Sequence, residues 1–332
     1  MKKSIPFMIV QDILLTGLIL CMFAFFHHVL PRLEAMDRSE PSPAPAVQTQ
    51  AVLSPAPETE QSTPAQAEEE SWGEKFAEYF SPEIETGENF YKSPKVSVTV
   101  ETVEQELEGH FQRWYVADIY IADIECFATY AENGSFETYT SAPALEIAEL
   151  AGAILSINGD YCNAQAQPGF FVRNGVAYQQ EDLPRCDIAV LYTDGSLETY
   201  APGEYTVEEI LEGQPWQVWK FGPELLDADG QPLGSFNTSS AIEAANPRAA
   251  IGYYEPGHYC FLVSEGRLRD GGYGLTMAEL AQIFYDLGCK RAYNLDGGDS
   301  ACMVFQGKVC NTRSGQRELG DILLIKEPEV QP

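Results

Sequence analysis

Between Thr276 and Gly288, apolar residues recur at helical spacing: Met277, Leu280, Ala281, Phe284 and Leu287 share one face. Thr276 and Glu279 form a capping box at its start, and Gly288 stands where a left-handed cap closes a helix. The period then changes to that of a short strand over 291–295, which delivers Asp296 to a strand end. The same pattern occurs upstream. Ser141 and Pro143 open a helix through Leu150, Ala153-Ile154-Leu155-Ser156-Ile157 reads as a buried strand, and Asn158-Gly159-Asp160-Tyr161 follows it. If the two strands are neighbours in one sheet, Asp160 and Asp296 stand on one rim, where open sheets place ligands. Further β-branched or aromatic runs over 96–103, 114–122, 125–130, 187–192, 259–264 and 322–325 read as strands. Thr193-Asp194-Gly195-Ser196 is a hairpin turn between 188–190 and 197–200. Many strands with only two or three convincing helices predict an α+β fold, a mixed β-sheet domain with a few flanking helices.

The N-terminal part follows a different pattern. Residues 13–26 are uncharged and almost wholly apolar, and the stretch 5–30 holds only Asp12 as a charge, enough to reach the ~20 residues that span a bilayer. Lys2 and Lys3 precede it and no small-residue cleavage motif follows, so 1–30 is expected to be a cytoplasmic tip and uncleaved signal-anchor helix, with the rest of the chain outside the cell. Residues 40–67 hold six prolines and no Lys or Arg, too little apolar surface to offset ordering entropy, so 31–94 is expected to be an extended stalk. Within it, Trp72, Phe76, Tyr79 and Phe80 after Glu68-Glu69-Glu70 suggest a short amphipathic helix that either docks on the domain or stays loose. The domain itself is expected over 95–328.

Composition excludes some classes. With 20 Lys and Arg against 50 Asp and Glu, the formal charge is −30. Such a surface repels nucleic acid and anionic lipid, so an anionic substrate has to be met by a local Arg cluster, for which Arg248, Arg313 and Arg317 are candidates. Outside the apolar anchor the cysteines number seven, an odd count. A hairpin centred on Gln306 sets Cys302 opposite Cys310, the best candidate for a disulfide; the alternative is that several cysteines are reduced core residues. His258 and His110 read as structural histidines. No cofactor or metal site is implied by any spacing.

The candidate chemistry sits at Asn294-Leu295-Asp296-Gly297-Gly298-Asp299-Ser300. Two glycines remove side chains, so backbone N–H groups can approach an anion or sugar while Asp296 and Asp299 face the same space. An ordinary tight turn would use the same residues. Taken with Asn158, Gly159 and Asp160, and with Arg248 after Pro247, the expected site has Asp296 and Asp160 as catalytic carboxylates. Asn158, Gly159, Arg248, Asn294, Gly297, Gly298, Asp299, Ser300 and Arg317 are the expected substrate contacts.

Four ordered motifs, Ile157-Asn158-Gly159-Asp160-Tyr161, Asn246-Pro247-Arg248-Ala249-Ala250-Ile251-Gly252, the 276–288 helix with Asn294-Leu295-Asp296-Gly297-Gly298 and Asn311, and Arg317 with Asp321-Ile322-Leu323, resemble the phosphodiester glycosidase domain over roughly 96–325. The family usually carries a glycine or small residue where this chain has Asp299. The resemblance implies a hydrolase that cleaves the glycosidic bond of sugar-1-phosphodiesters, such as N-acetylglucosamine-1-phosphodiester; with the N-terminal apolar span the expectation is a membrane-anchored extracellular enzyme acting on envelope glycopolymers or their precursors. Its partners would be that substrate and, through the N-terminal helix, the membrane; nucleic acid is not among them. The alternatives are a non-catalytic glycan-binding module and a structural envelope protein.

Overall fold

A computed structural model describes residues 71–160, 169–181, 185–267, 272–312 and 317–328, all within a unit spanning Ala67–Pro332. The apolar stretch at 1–30, most of the Pro-rich stalk, Tyr161, Cys162 and Arg313 lie outside the described residues. Among those residues no helix is long and apolar enough to cross a membrane.

Three sheets build the domain. The first is seven-stranded, in the order β1 (Glu85–Thr86), β2 (Phe90–Lys92), β3 (Val96–Leu107), β4 (His110–Ile121), β13 (His258–Ser264), β12 (Arg248–Glu255) and β14 (Arg291–Asn294). The second orders β10 (Leu197–Tyr200), β9 (Ile188–Tyr192), β11 (Pro215–Trp219), β7 (Phe170–Arg173) and β8 (Val176–Gln180). The third orders β16 (Lys308–Val309), β15 (Met303–Phe305), β6 (Leu155–Asn158), β17 (Asp321–Ile325) and β5 (Phe127–Ala131). Helices are few: α1 (Trp72–Lys75), α2 (Ala144–Ala151), α3 (Val207–Glu212), α4 (Ser240–Glu243) and α5 (Met277–Asp286).

The sheets meet around Phe127. Its ring lies 5.7 Å from Trp219 of the second sheet and 5.4 Å from Phe261 of the first, both edge or tilted contacts. Each of these side chains is fully buried, worth about 1.5–3 kcal/mol apiece. Strand β12 is apolar on both faces because both are covered: Ala249 and Ile251 join the inter-sheet core, while Ala250 packs with Leu262, Leu280 and Phe284 under α5. The capping box of α5 forms as expected, with the Glu279 N–H donating to Thr276 Oγ1 at 3.2 Å and the Thr276 N–H to Glu279 Oε2 at 2.7 Å.

Three expectations change. First, β6 and β14 are not neighbours; they belong to different sheets, because β6 is flanked by β15 and β17 and β14 pairs with β12. Second, the folded domain starts before residue 95: β2 pairs with β3, and Phe76 is buried against Tyr120 at a ring distance of 5.2 Å. The segment around α1 therefore docks, further fixed by Lys75 Nζ to Glu255 at 2.8 Å. Third, Cys302 and Cys310 are not joined to each other. The hairpin exists, but its register places the Cys310 N–H on Met303 O at 2.8 Å. Cys302 faces the cluster around Ile147 and Ile322, whereas Cys310 packs on the inter-sheet core, so neighbouring positions point to opposite faces.

Candidate active site

Strand β14 ends at Asn294, and the chain turns immediately into Asp296-Gly297-Gly298 and a 3-10 turn, Gly298–Ser300. The Leu295 N–H still donates to Ala249 O at 2.8 Å and the Gly298 N–H to Pro247 O at 2.9 Å, so the turn is laced to the start of β12. A side chain at Gly297 would put its Cβ 2.6 Å from Pro247 O, closer than real contacts allow. Asn294 is buried and its amide donates to Gly222 O at 2.8 Å, which anchors the strand end from below. Asp296 stays partly accessible: its side chain is 13% exposed, accepts the Gly297 N–H at 2.9 Å, and lies 3.7 Å from Arg317 Nη1. Burial pushes its carboxyl above the usual range, and the Ser300 hydroxyl, Arg317 and the Gly297 N–H pull it back. Arg317 also donates to Ser300 Oγ at 3.2 Å.

Although β6 and β14 lie in different sheets, their ends converge. Asn158 Nδ2 donates to Asp296 O at 2.7 Å, while its Oδ1 accepts the Cys302 N–H at 3.2 Å. Gly159 is needed for close approach, since a Cβ there would stand 2.1 Å from Asp321 Oδ1. Asp160 has a different position from the one expected. Its side chain is 0% exposed, accepting from Arg173 Nη2 at 2.7 Å and from the Lys220 N–H at 2.9 Å. Arg173 is itself fully buried, donates to the carbonyls of Val172 and Val218, and reaches Asp321 Oδ2 at 3.5 Å. Its guanidinium stacks over Phe171 at 4.3 Å. A carboxylate enclosed this way cannot attack a sugar; it can hold the Asn158-Gly159 turn in place.

Arg248 is likewise not at the cleft. Only 2% exposed, it donates through Nε to Leu275 O at 2.8 Å and through Nη2 to Ile242 O and Ala244 O, both at 2.6 Å. Burial lowers its guanidinium to about 10. Its Nε and Nη2 tie α4 and the segment before α5 to β12. Among the described residues, the accessible cations near Asp296 are Arg317 and Arg267. Arg267 donates to Asn246 Oδ1 at 2.7 Å, and its Nη1 lies 3.5 Å from Asp299 Oδ1. It holds φ +57°, a left-handed backbone that non-glycine residues adopt at a cost, as happens at functional sites.

Sequence reasoning assigned no role to Arg267, Arg173, Asp321 or Glu265. The signal for Arg267 was Glu265-Gly266-Arg267 directly after a strand. The signal for Arg173 was a lone cation in the apolar run Phe170-Phe171-Val172, which demands a buried counter-charge. Glu265 is buried, accepts from Thr312 Oγ1 at 2.7 Å, and leaves Oε2 without a partner among the described residues.

The chain is 25% identical over 201 residues to the SPbeta prophage-derived uncharacterized protein YomE of Bacillus subtilis, covering 58% of this chain and 31% of that protein. It is 24% identical over 215 residues to mouse N-acetylglucosamine-1-phosphodiester alpha-N-acetylglucosaminidase, covering 61% of this chain and 38% of that enzyme. The match thus spans about a third of the length of these curated relatives. The catalytic domain of the zebrafish enzyme, auto-inhibited by its pro-peptide, superposes with a TM-score of 0.58 at 16% identity, over 74% of this chain and 88% of that one, which establishes the shared fold. The phosphodiester glycosidase family model matches residues 151–326, from the end of α2 through β17, and takes in the Asn158–Asp160 turn, Arg267, the Asp296 turn and Arg317. The chain belongs to the phosphodiester glycosidase family.

Proposed function

We propose that this protein hydrolyses the glycosidic bond of sugar-1-phosphodiesters, with N-acetylglucosamine-1-phosphodiester as the first substrate to test. The reading extends to an anchor formed by residues 1–30, a catalytic domain outside the cell, and glycopolymers of the envelope or their precursors as the natural substrate. The observation that carries it is Asp296: a partly accessible carboxylate at a strand end, next to two glycines, with Arg317 and Arg267 on either side of the turn.

The chemistry suits those groups. Cleavage at the anomeric carbon expels a phosphomonoester whose second pKa is about 6, so it departs without a strong general acid. Its charge needs preorganised donors, and the guanidinium groups of Arg267 and Arg317 provide them. Asp296 then acts on the opposite side of the anomeric carbon, as base for water or as nucleophile. Asp160 is a positioning residue in this scheme: held by Arg173, it fixes the turn from which Asn158 grips the Asp296 carbonyl. The two-carboxylate spacing that distinguishes retaining from inverting glycosidases does not apply, because only one of the pair is open to substrate.

The test is to incubate the full chain in detergent with a panel of sugar-1-phosphodiesters and follow phosphomonoester release, alongside Asp296→Asn. The variant is expected to keep its melting temperature and to lose roughly 10²–10⁴-fold in rate if Asp296 is a general base. Near-normal turnover by a folded variant would remove Asp296 from the chemistry. Binding of the sugar by the wild type with no release from any substrate would favour a glycan-binding module.

A further inference from the structure

Two buried carboxylates share one guanidinium beneath the site. Asp160, in the turn after β6, and Asp321, at the start of β17, both converge on Arg173 from β7 of the second sheet, at 2.7 Å and 3.5 Å. Asp321 is 6% exposed on its side chain, and its carboxyl presses against the Cα of Gly159. Gly159 adjoins Asn158, the residue that holds the Asp296 carbonyl. A path of direct contacts therefore runs from the Asp321 carboxyl through Gly159 and Asn158 to the catalytic turn. A small cleft lined by Phe136, Tyr139, Phe171 and Gly320 opens onto Asp321 from the other side, giving its proton a way in and out.

The charge balance of this cluster is unfavourable. Arg173 is matched by Asp160 through the short contact, and the Lys220 N–H completes that carboxylate. A second full negative charge on Asp321 would be buried against Asp160 with only the longer contact to Arg173, while Asp296 adds a third carboxylate from the end of β14. Tyr139 faces the cleft from the segment after β5, and Arg317 stands beyond Asp296. Buried like charges that share one partner are not all ionised together.

We infer that Asp321 is a positioning residue whose neutral form maintains the Asn158-Gly159 turn, and whose ionisation places a second negative charge beneath the site and opposes the anionic substrate. Burial pushes the Asp321 carboxyl up to about 7; Arg173 lowers it, and Asp160 and then Asp296 raise it. The direction is that of a carboxyl protonated below neutrality: the competent form is present at low pH and is lost as pH rises through that value. This part of the inference rests on the proposed hydrolase reading; the proton on Asp321 does not.

Infrared titration of the full chain, as the wild type minus Asp321→Asn difference, reads the carboxyl directly. A protonated-carboxyl band is expected at pH 6 and gone by pH 8.5. In Asp160→Asn, which removes one of the two carboxylates that Arg173 faces, that band should disappear at a lower pH. Absence of the band at pH 6, or a band that Asp160→Asn does not move, would overturn the inference, and either result stands whether or not any phosphodiester is hydrolysed. With an active substrate in hand, wild-type kcat/KM should fall roughly tenfold or more between pH 6 and 8.5. In Asp321→Asn the ratio between the two pH values should shrink to about twofold. The same decline in both proteins would assign it to another group.

Discussion

Among the charged residues of the site, burial decides which can meet a ligand. Arg248 illustrates the point: a guanidinium after Pro247 looks like a phosphate clamp, yet its donors are spent on the carbonyls of Ile242, Ala244 and Leu275. Lys in its place keeps a charge but offers no planar fork, so at least one of these buried carbonyls would lose its donor. Arg248→Lys is therefore expected to destabilise the domain by roughly 2–3 kcal/mol, or about 5–10 °C in Tm, with turnover by the remaining folded protein close to normal. A thermal melt beside an activity assay checks this. Unchanged Tm with collapsed turnover would place the guanidinium at the substrate instead. Arg267 and Arg317 behave differently, because each is about half exposed and bound to a carboxylate that a phosphate can replace.

At the scale of elements, strand ends carry the site and registers decide which side chains meet. Strands β6 and β14 deliver Asn158 and Asp296 to one point from two separate sheets, so their convergence depends on how the sheets pack around Phe127. Register also separates the cysteines of the β15–β16 hairpin. Cys310 stands opposite Met303, and Cys302 faces the other side of the sheet. In native protein treated with an alkylating reagent, Cys310, which is only partly covered, should be modified well before Cys302, which should react only after denaturation. Recovery of a peptide linking the two by a disulfide would show that this register is wrong.

The whole molecule sets a field that opposes its proposed substrate. A formal charge of −30 repels a phosphodiester until it comes within reach of Arg267 and Arg317. Raising ionic strength from about 0.01 M to about 0.15 M shortens the screening length from roughly 30 Å to roughly 8 Å and weakens that repulsion. The expected outcome is a several-fold rise in kcat/KM for an anionic substrate and little change for a neutral glycoside. A fall over the same range would mean that the local arginines dominate the approach. The docked segment around α1 bears on the same scale: Phe76 is buried on the first sheet against Tyr120 and His258, at the opposite end of β13 from Ser264.

Local pattern was enough for what depends on neighbours in sequence. The capping box and apolar stripe of α5, the left-handed Gly288 after it, the 193–196 hairpin and the delivery of Asp296 to a strand end all follow from residues a few positions apart, whose interactions form in any context that keeps the backbone regular. The ordered motifs carried the family as well. Tertiary structure alone decided the rest, because it rests on contacts between distant segments. Asp160 looked like a rim carboxylate until Arg173 and the Lys220 N–H enclosed it; Arg248 looked like a clamp until α4 and the 275 segment closed over it; and Asp321, in the sequence only a member of a family motif, gained a role of its own because two sheets bring it to the guanidinium that Asp160 already holds. Burial and counter-charge set the behaviour of an ionisable group, and neither is a property of the residues beside it in the chain.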